Sequence, residues 1–381
     1  MTAVTSSKTA VTHKKDPLVR IVRRETMPLW KSVMVRLIAV VASLLVSGVI
    51  IFLLTGASPF KVYESMLQGA FGSSIANYAQ KSWITVRDTM MLLCIAVGLA
   101  PAFKMKFWNI GAEGQVLVGG IATAACMIYL KNLPPVLLFI CMVGASLLAG
   151  AIWGLLPAVF KAKWDTNETL FTLMMNYVAL QLTSFCVAKW ENPIGSNKVG
   201  IINQGAGNQQ GWFPAIFGQD YMLNVIIVMA LTVGMFYYLK YSKQGYEIAV
   251  IGDSQNTARY AGISVKKVII RTMLISGAIC GLAGFITVSG SAHTISTSTA
   301  GGKGFTAIIV AWLAKFNTFT MILVALLITV LDKGAIQVAT EYNISKDMSN
   351  MITGIILFFI IGSEFFVNYK LIFRKKEKEV A

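Results

Sequence analysis

Charge is scarce in this sequence. Only 13% of its residues are Asp, Glu, Lys or Arg, 56% are hydrophobic, and the mean hydropathy is +0.66. Soluble domains carry about a quarter charged residues, so an ordinary water-soluble fold is excluded. Histidine is almost missing: His13 lies in the polar N-terminal stretch and His293 in an outer loop, and no HExxH is present. That removes the zinc-hydrolase helix, and the lack of G-x-S-x-G removes the nucleophile elbow. The run Gly301-Gly302-Lys303-Gly304 lacks both the upstream glycine and the Ser/Thr after the lysine of a phosphate-binding loop. Any ATP chemistry therefore belongs to another polypeptide. The five cysteines, Cys94, Cys126, Cys141, Cys186 and Cys280, fall inside apolar runs without CxxC spacing. They read as small core residues, with neither a disulfide framework nor a metal site implied. Some thirty polar, basic residues precede the first apolar run, too long and too charged for the n-region of a removable signal sequence.

What is present is a series of apolar runs near residues 37–55, 88–103, 109–130, 135–160, 169–188, 222–240, 272–290, 304–315, 318–334 and 349–369. Most approach the roughly 20 residues that a helix needs to cross the hydrocarbon core. The expectation is an all-α polytopic membrane protein of about ten transmembrane helices. The run 304–315 is the short one, rising only about 18 Å as a helix. It reads as a half-helix extended through Gly301–Gly302–Lys303 by irregular backbone inside the bundle. Both chain ends are basic, which requires an even number of crossings and keeps this run as a crossing. The organisation is then a basic cytosolic tail over 1–35, a transmembrane domain over 36–370 and a basic cytosolic tail over 371–381. The formal charge is +16. With both termini cytosolic, 24 of the 33 Lys and Arg fall on the cytosolic side, as the positive-inside rule requires. The charge excess is a topology signal, not a nucleic-acid footprint.

The longest polar interruption between two spans is Tyr241–Arg271, with the cytosolic loop at 243–270. It contains a compact helix signal: Asp253 or Ser254 as N-cap, Gln255–Ala261 as body and Gly262 as a left-handed C-cap. Two turns are too short to stand alone in water, so this helix is either built to dock or an ordinary interfacial loop helix. Ala258 and Ala261, three apart, give a flat patch for a groove. Tyr260 offers an amphipathic anchor and Arg259 a bidentate donor for a partner carboxylate. On the other side, the loop Glu191–Tyr221 is rich in amides and glycines, with Trp212 and Phe213 placed for the membrane interface. It is either a docking surface for an extracytoplasmic partner or a loop without one.

Polar residues inside apolar runs are expensive unless satisfied. Asn109, Glu113 and Gln115 occur together in Phe107-Trp108-Asn109-Ile110-Gly111-Ala112-Glu113-Gly114-Gln115. Glu113 lies about 13 Å of helix from Lys104, near a helix start, where the macrodipole favours a carboxylate. A structural glutamate and a proton or ion site are both open. Asn167-Glu168-Thr169 opens the span that carries Asn176 and Tyr177, and Asn176 either contacts a polar solute or joins helices. The pairs Gly150/Gly154 and Gly277/Gly281 read as close helix contacts.

Two blocks, Asn109–Gln115 (NIGAEGQ) and Gly252–Ile263 (GDSQNTARYAGI), resemble permease subunits of bacterial ABC importers. The resemblance is to the branch that handles nucleosides and simple sugars, related more distantly to ribose and branched-chain amino acid permeases. Gly304–Ala311 (GFTAIIVA) adds a weaker match, and the whole covers about residues 36–370. The resemblance implies a coupling helix at Ser254–Ala261, seated in a groove of ATPase subunits that hold ATP and Mg. It also implies a second permease subunit, an extracytoplasmic solute-binding lipoprotein, the bacterial cytoplasmic membrane, and no cofactor or catalysis on this chain. The implied solute is a nucleoside, with a simple sugar such as ribose or galactose as the alternative. Asn109, Glu113, Gln115, Asn176 and Tyr177 are the candidate solute-pathway residues. The rival is a stand-alone secondary transporter with Glu113 as its proton or sodium site. The sequence departs from the family at Thr257–Ala258, before the Arg-Tyr pair. It departs again at Ala314–Thr318, where relatives have Gly and then Asn-Pro.

Overall fold

The computed structural model describes residues 19–24, 27–56, 58–73, 75–205 and 209–373. In chain order these form β1 (Val19–Arg23), α1 (Leu29–Thr55), α2 (Pro59–Phe71), α3 (Ile75–Lys104), α4 (Ala112–Tyr129), α5 (Pro135–Trp164) and α6 (Glu168–Lys189). There follow α7 (Met222–Tyr241), α8 (Lys243–Asp253), α9 (Gln255–Tyr260) and α10 (Val265–Thr287), which runs on as a π-helical turn to Ala292. Last come α11 (Lys303–Leu313), α12 (Thr318–Glu341), α13 (Lys346–Asn368) and β2 (Tyr369–Phe373). Among the described residues nine helices are long and apolar enough to cross a membrane, and Lys303–Leu313 is a shorter apolar one. These coincide with the ten expected runs.

The chain divides into two compact units, Met1–Val62 with Tyr342–Ala381, and Tyr63–Glu341. In the first, α1 packs along α13, and β1 pairs antiparallel with β2 in the register Val19↔Phe373 to Arg23↔Tyr369. Arg36 Nε donates to Glu364 at 2.9 Å between the two helices. Parts of both expected tails are therefore ordered, and helix begins at Leu29, ahead of the expected boundary at 36. Residues 1–18, 25–26 and 374–381 of those tails lie outside the described residues.

In the second unit α10 is the hub, packed against α5, α4 and α3. Its glycines bring bare backbones together. A Cβ on Gly277 would lie 2.4 Å from the Gly150 carbonyl oxygen, one on Gly281 2.3 Å from that of Ser146, and one on Gly284 2.2 Å from that of Val116. The two glycine pairs read from the sequence are thus two sides of one contact. In lipid no hydrophobic force draws helices together, so this close approach supplies much of their association.

The loop before α7 folds down over the end of α10. Phe213 is buried against Phe139 and Phe285, at ring distances of 5.9 and 5.2 Å, rather than lying at the membrane interface as expected. Trp212 donates its indole N–H to the Ile202 carbonyl at 2.9 Å and stacks on His293 at 3.8 Å. The loop residues Ala206, Gly207 and Asn208 lie outside the described residues. Burial pushes the His293 imidazole below its ordinary value, with Asp220 and a hydrogen bond to the Ser289 backbone opposing it.

Gly281→Ala is expected to lower stability by about 1–3 kcal/mol or more, because a backbone carbonyl cannot move aside as a side chain can. Thermal melting in detergent reads this, against Gly234→Ala, where a Cβ meets nothing within 4 Å. For His293 the depressed folded value means stability is full above the unfolded pKa of about 6.5 and declines as pH falls from there through the folded value. Melting temperature against pH should show that decline in the native chain and lose that part of it in His293→Phe, which keeps the stack.

Candidate functional site

The block Asn109–Gln115 forms the irregular entry to α4, and its polar groups are spent on one another, on Ser276 and on backbone. Asn109 is fully buried; its amide donates to Gln115 Oε1 and Ser276 Oγ, both at 3.3 Å, and its Oδ1 accepts from the Gly111 N–H at 3.1 Å. Gln115 Nε2 returns a bond to Asn109 Oδ1 at 3.3 Å. Asn176 on α6 closes the same entry, accepting from the Gly114 N–H and donating to the Ile110 carbonyl, each at 2.9 Å. The pair fits because Gly114 has no side chain, a Cβ there lying 2.9 Å from Asn176 Oδ1. Asn176 therefore joins helices. Tyr177, its neighbour, points the other way and is 63% exposed.

Glu113 meets the short helix. Its Oε1 accepts from the Gly302 N–H at 2.7 Å and its Oε2 from the Gly304 N–H at 2.8 Å. The carboxylate sits in the first turn of α4 and also caps the start of α11, so it lies between two positive helix ends. Gly301 and Gly302 both have positive φ, 59° and 76°, and make the irregular link that the sequence suggested. Gly304 permits the contact, since a Cβ there would lie 2.5 Å from the Glu113 nitrogen. Both carboxylate oxygens are thus engaged in the structural reading of Glu113. At the other end of α11, Lys315 and Phe316 take positive φ in a tight turn, and Asn317 Oδ1 accepts from the Phe319 N–H at 3.1 Å to start α12. That turn works without the family's Gly and Asn-Pro.

The loop 243–270 carries the expected short helix and one the sequence reading did not find. α8 is N-capped by Ser242, whose hydroxyl accepts from the Gly245 N–H at 2.9 Å. α9 is N-capped by Ser254, which accepts from the Thr257 N–H at 3.2 Å, while Asp253 ends α8 instead. Gly262 at φ 74° closes α9, with Ile263 N–H bonding the Ala258 carbonyl and Gly262 N–H that of Arg259. Ala258 is fully buried against its own chain, so it does not belong to an outward flat patch as expected. The free side of α9 presents Gln255, Asn256, Arg259, Tyr260 at 91% exposure, and Ala261. Arg259 lies within electrostatic reach of Asp165 in the α5–α6 turn, whose carboxyl is held below its ordinary range chiefly by a 2.8 Å hydrogen bond from Lys161. Beneath, α8 is fixed to the rest of the unit. A Cβ on Gly252 would lie 2.2 Å from the Lys104 carbonyl oxygen at the end of α3, and Glu247 pairs with Arg271 of α10 at 3.0 Å.

A third group of polar residues escaped the sequence reading. Arg87 and Asp88 lie well inside α3, which starts at Ile75 rather than near 88. Asp88 pairs with Arg87 at 2.9 Å and with Lys333 of α12 at 2.5 Å, and Arg87 stacks over Tyr221. The first half of α3 is polar enough to hide the start of the helix, which is why the expected run begins only at 88. The signal available was Asp332-Lys333, placed at the end of an apolar run.

Among the described residues, nine apolar helices of membrane-crossing length, one short capped helix and a polar two-helix elbow make the architecture of a multi-pass membrane protein. Residues 83–361 match the family described as branched-chain amino acid transport system / permease component, and the chain belongs to that family. It is a multi-pass membrane protein. The chain is 30% identical over 332 residues to the guanosine ABC transporter permease protein NupP of Bacillus subtilis, covering 87% of this chain and 93% of that protein. It is 28% identical to the glucose ABC transporter permease protein TsgB13 of Haloferax volcanii, over 91% of this chain and 92% of that protein. It is also 28% identical to the nucleoside ABC transporter permease protein NupB of Lactococcus lactis, over 87% and 91%.

Glu113→Ala should strand two backbone donors and destabilise the bundle by about 1–3 kcal/mol for each one left unpaired, whereas Glu113→Gln should lose less. Asn176→Ala should likewise lower the melting temperature of the purified chain in detergent. Unchanged melting with reduced uptake in Asn176→Ala would return that residue to the solute pathway.

Proposed function

We propose that this chain is the membrane-spanning subunit of an ATP-driven importer of nucleosides in the bacterial cytoplasmic membrane. The observation that carries the reading is the similarity over nearly the full length to guanosine and nucleoside permeases, on a fold that presents α9 as an exposed elbow. ATP and Mg are held by separate ATPase subunits, a second permease subunit completes the pathway, and an extracytoplasmic lipoprotein delivers the solute. Both termini and the α8–α9 loop face the cytosol, as the distribution of Lys and Arg favours. ATP-driven closure of the ATPase pair moves α9; through the seat of α8 on α3 and its ion pair to α10, that motion tilts spans as rigid bodies. A simple sugar is the second reading, favoured by the similarity to the glucose permease. A secondary transporter using Glu113 is disfavoured because both carboxylate oxygens are occupied by backbone donors.

Uptake of radiolabelled nucleosides and sugars by vesicles carrying the complete transporter tests the solute; uptake of glucose with none of a nucleoside would replace the first reading by the second. Docking is tested with Arg259→Glu and Tyr260→Ala, which leave buried Ala258 in place. Both should insert normally, lose co-purifying ATPase and lower uptake about tenfold or more, the loss expected for an interface hot spot. Normal co-purification and uptake in both would reduce α9 to a loop helix. An impermeant thiol reagent that labels Gln255→Cys in intact cells would overturn the orientation.

A further inference from the structure

Two charges near the α3 cluster, Lys303 and Asp332, form no ion pair at contact distance among the described residues. Lys303 Nζ meets the Met91 sulfur at 3.9 Å and lies within electrostatic reach of Asp88 and Asp332, as well as of Arg87 and Lys333. Asp332 is exposed and makes no hydrogen bond or ion pair among the described residues. It stands about 21 Å along α12 from Thr318 and about 14 Å from Glu341, deep within a span. A bare carboxylate at that depth cannot face hydrocarbon.

Helical spacing says which way it faces. Met321, Ala325, Ile328 and Asp332 form one stripe of α12, and the first three are buried in the bundle. The lipid-side stripe is a different one, carrying exposed Leu323 and Leu327. Lys303 heads the corresponding stripe of α11, followed by buried Ala307, Val310 and Ala314. α11 packs on both α3 and α12. Asp332 thus continues the buried stripe of α12 yet is itself exposed, and Lys303 stands half-buried at the head of the buried stripe of α11.

We propose that Lys303 and Asp332 line a water-filled cleft of the solute pathway and take up the ribose of a nucleoside there, the carboxylate accepting from the vicinal hydroxyls and the ammonium donating to a sugar oxygen. The pairing of one free acceptor group with one free donor group suits a neutral polyol better than an anion, which Asp332 would repel. Arg87, Asp88 and Lys333 are spent on one another and serve as positioning residues that hold α3 against α12. The solute assignment rests on the nucleoside reading above; the cleft does not.

The test uses the complete transporter in vesicles. On a cysteine-free background, the Asp332→Cys variant should react with a water-soluble methanethiosulfonate at least about tenfold faster than Leu323→Cys, because only thiolate in water reacts well. Equal rates, or reaction that appears only when the second permease subunit is left out, would overturn the cleft. Uptake of uridine by Asp332→Ala should fall about tenfold or more, the worth of a hydrogen bond to a charged group, while uptake of 2′,3′-dideoxyuridine changes less than about twofold. Asp332→Asn, close in shape, guards against a folding defect and should lose the same preference. An unchanged uridine-to-dideoxyuridine ratio in both variants would overturn the ribose contact. If the native transporter takes up no nucleoside while the labelling contrast holds, the nucleoside reading fails and the cleft stands.

Discussion

Backbone touching backbone along α10 is the constraint on which the rest of the larger unit depends. Gly277, Gly281 and Gly284 admit the carbonyls of Gly150, Ser146 and Val116 to distances that no side chain allows. α5 and α4 are thereby fixed on α10, and α4 is free to begin late, at Ala112, after seven residues of irregular chain. The late start puts the N-terminal turn of α4 inside the bundle, opposite the start of α11. Without the glycine contact neither helix end would have a wall to stand against.

Breaking a helix inside a membrane leaves peptide groups that only protein can satisfy. Here the polar side chains that resemble solute ligands do that work. Asn109 and Gln115 close the turn before α4, Asn176 reaches across from α6 to the same turn, and Glu113 serves the amides of Gly302 and Gly304. Polarity at depth is thus poor evidence of solute contact unless the hydrogen-bond account is left open. By that measure Lys303 and Asp332 stand apart, since neither forms an ion pair at contact distance among the described residues.

The helices were largely legible from the sequence because a span is a composition signal, and all ten runs correspond to helices. The short α11 was legible from its length and its glycines, and α9 from a serine cap and a left-handed glycine seven residues after Gln255. α8 was not, because its residues Lys243–Asp253 mix charge with apolar side chains and its stability comes from packing on α3 and α10. Direction was harder than existence. Ala258 turned inward and Phe213 into the bundle, and no residue spacing reports which side of a short element its neighbours will cover. The start of α3 was lost for the opposite reason: a span buried by protein on most sides can carry Arg87 and Asp88 and need not look apolar.

The two kinds of helix contact differ in how they yield. Glycine seams join α10 to α4 and α5 over several turns, and a shift of even half an ångström along them would drive carbonyls into Cα atoms. α11 is held at its start by two hydrogen bonds to one carboxylate and hangs on Gly301 and Gly302, which tolerate a change of φ that other residues resist. On the proposed coupling, force entering through α8 would reach α3 and α10, the stiff part, by way of Gly252 and the Glu247–Arg271 pair. A block that moves as one must take up its displacement at its softest attachment. In this bundle that attachment would be the capped end of α11, beside Lys303.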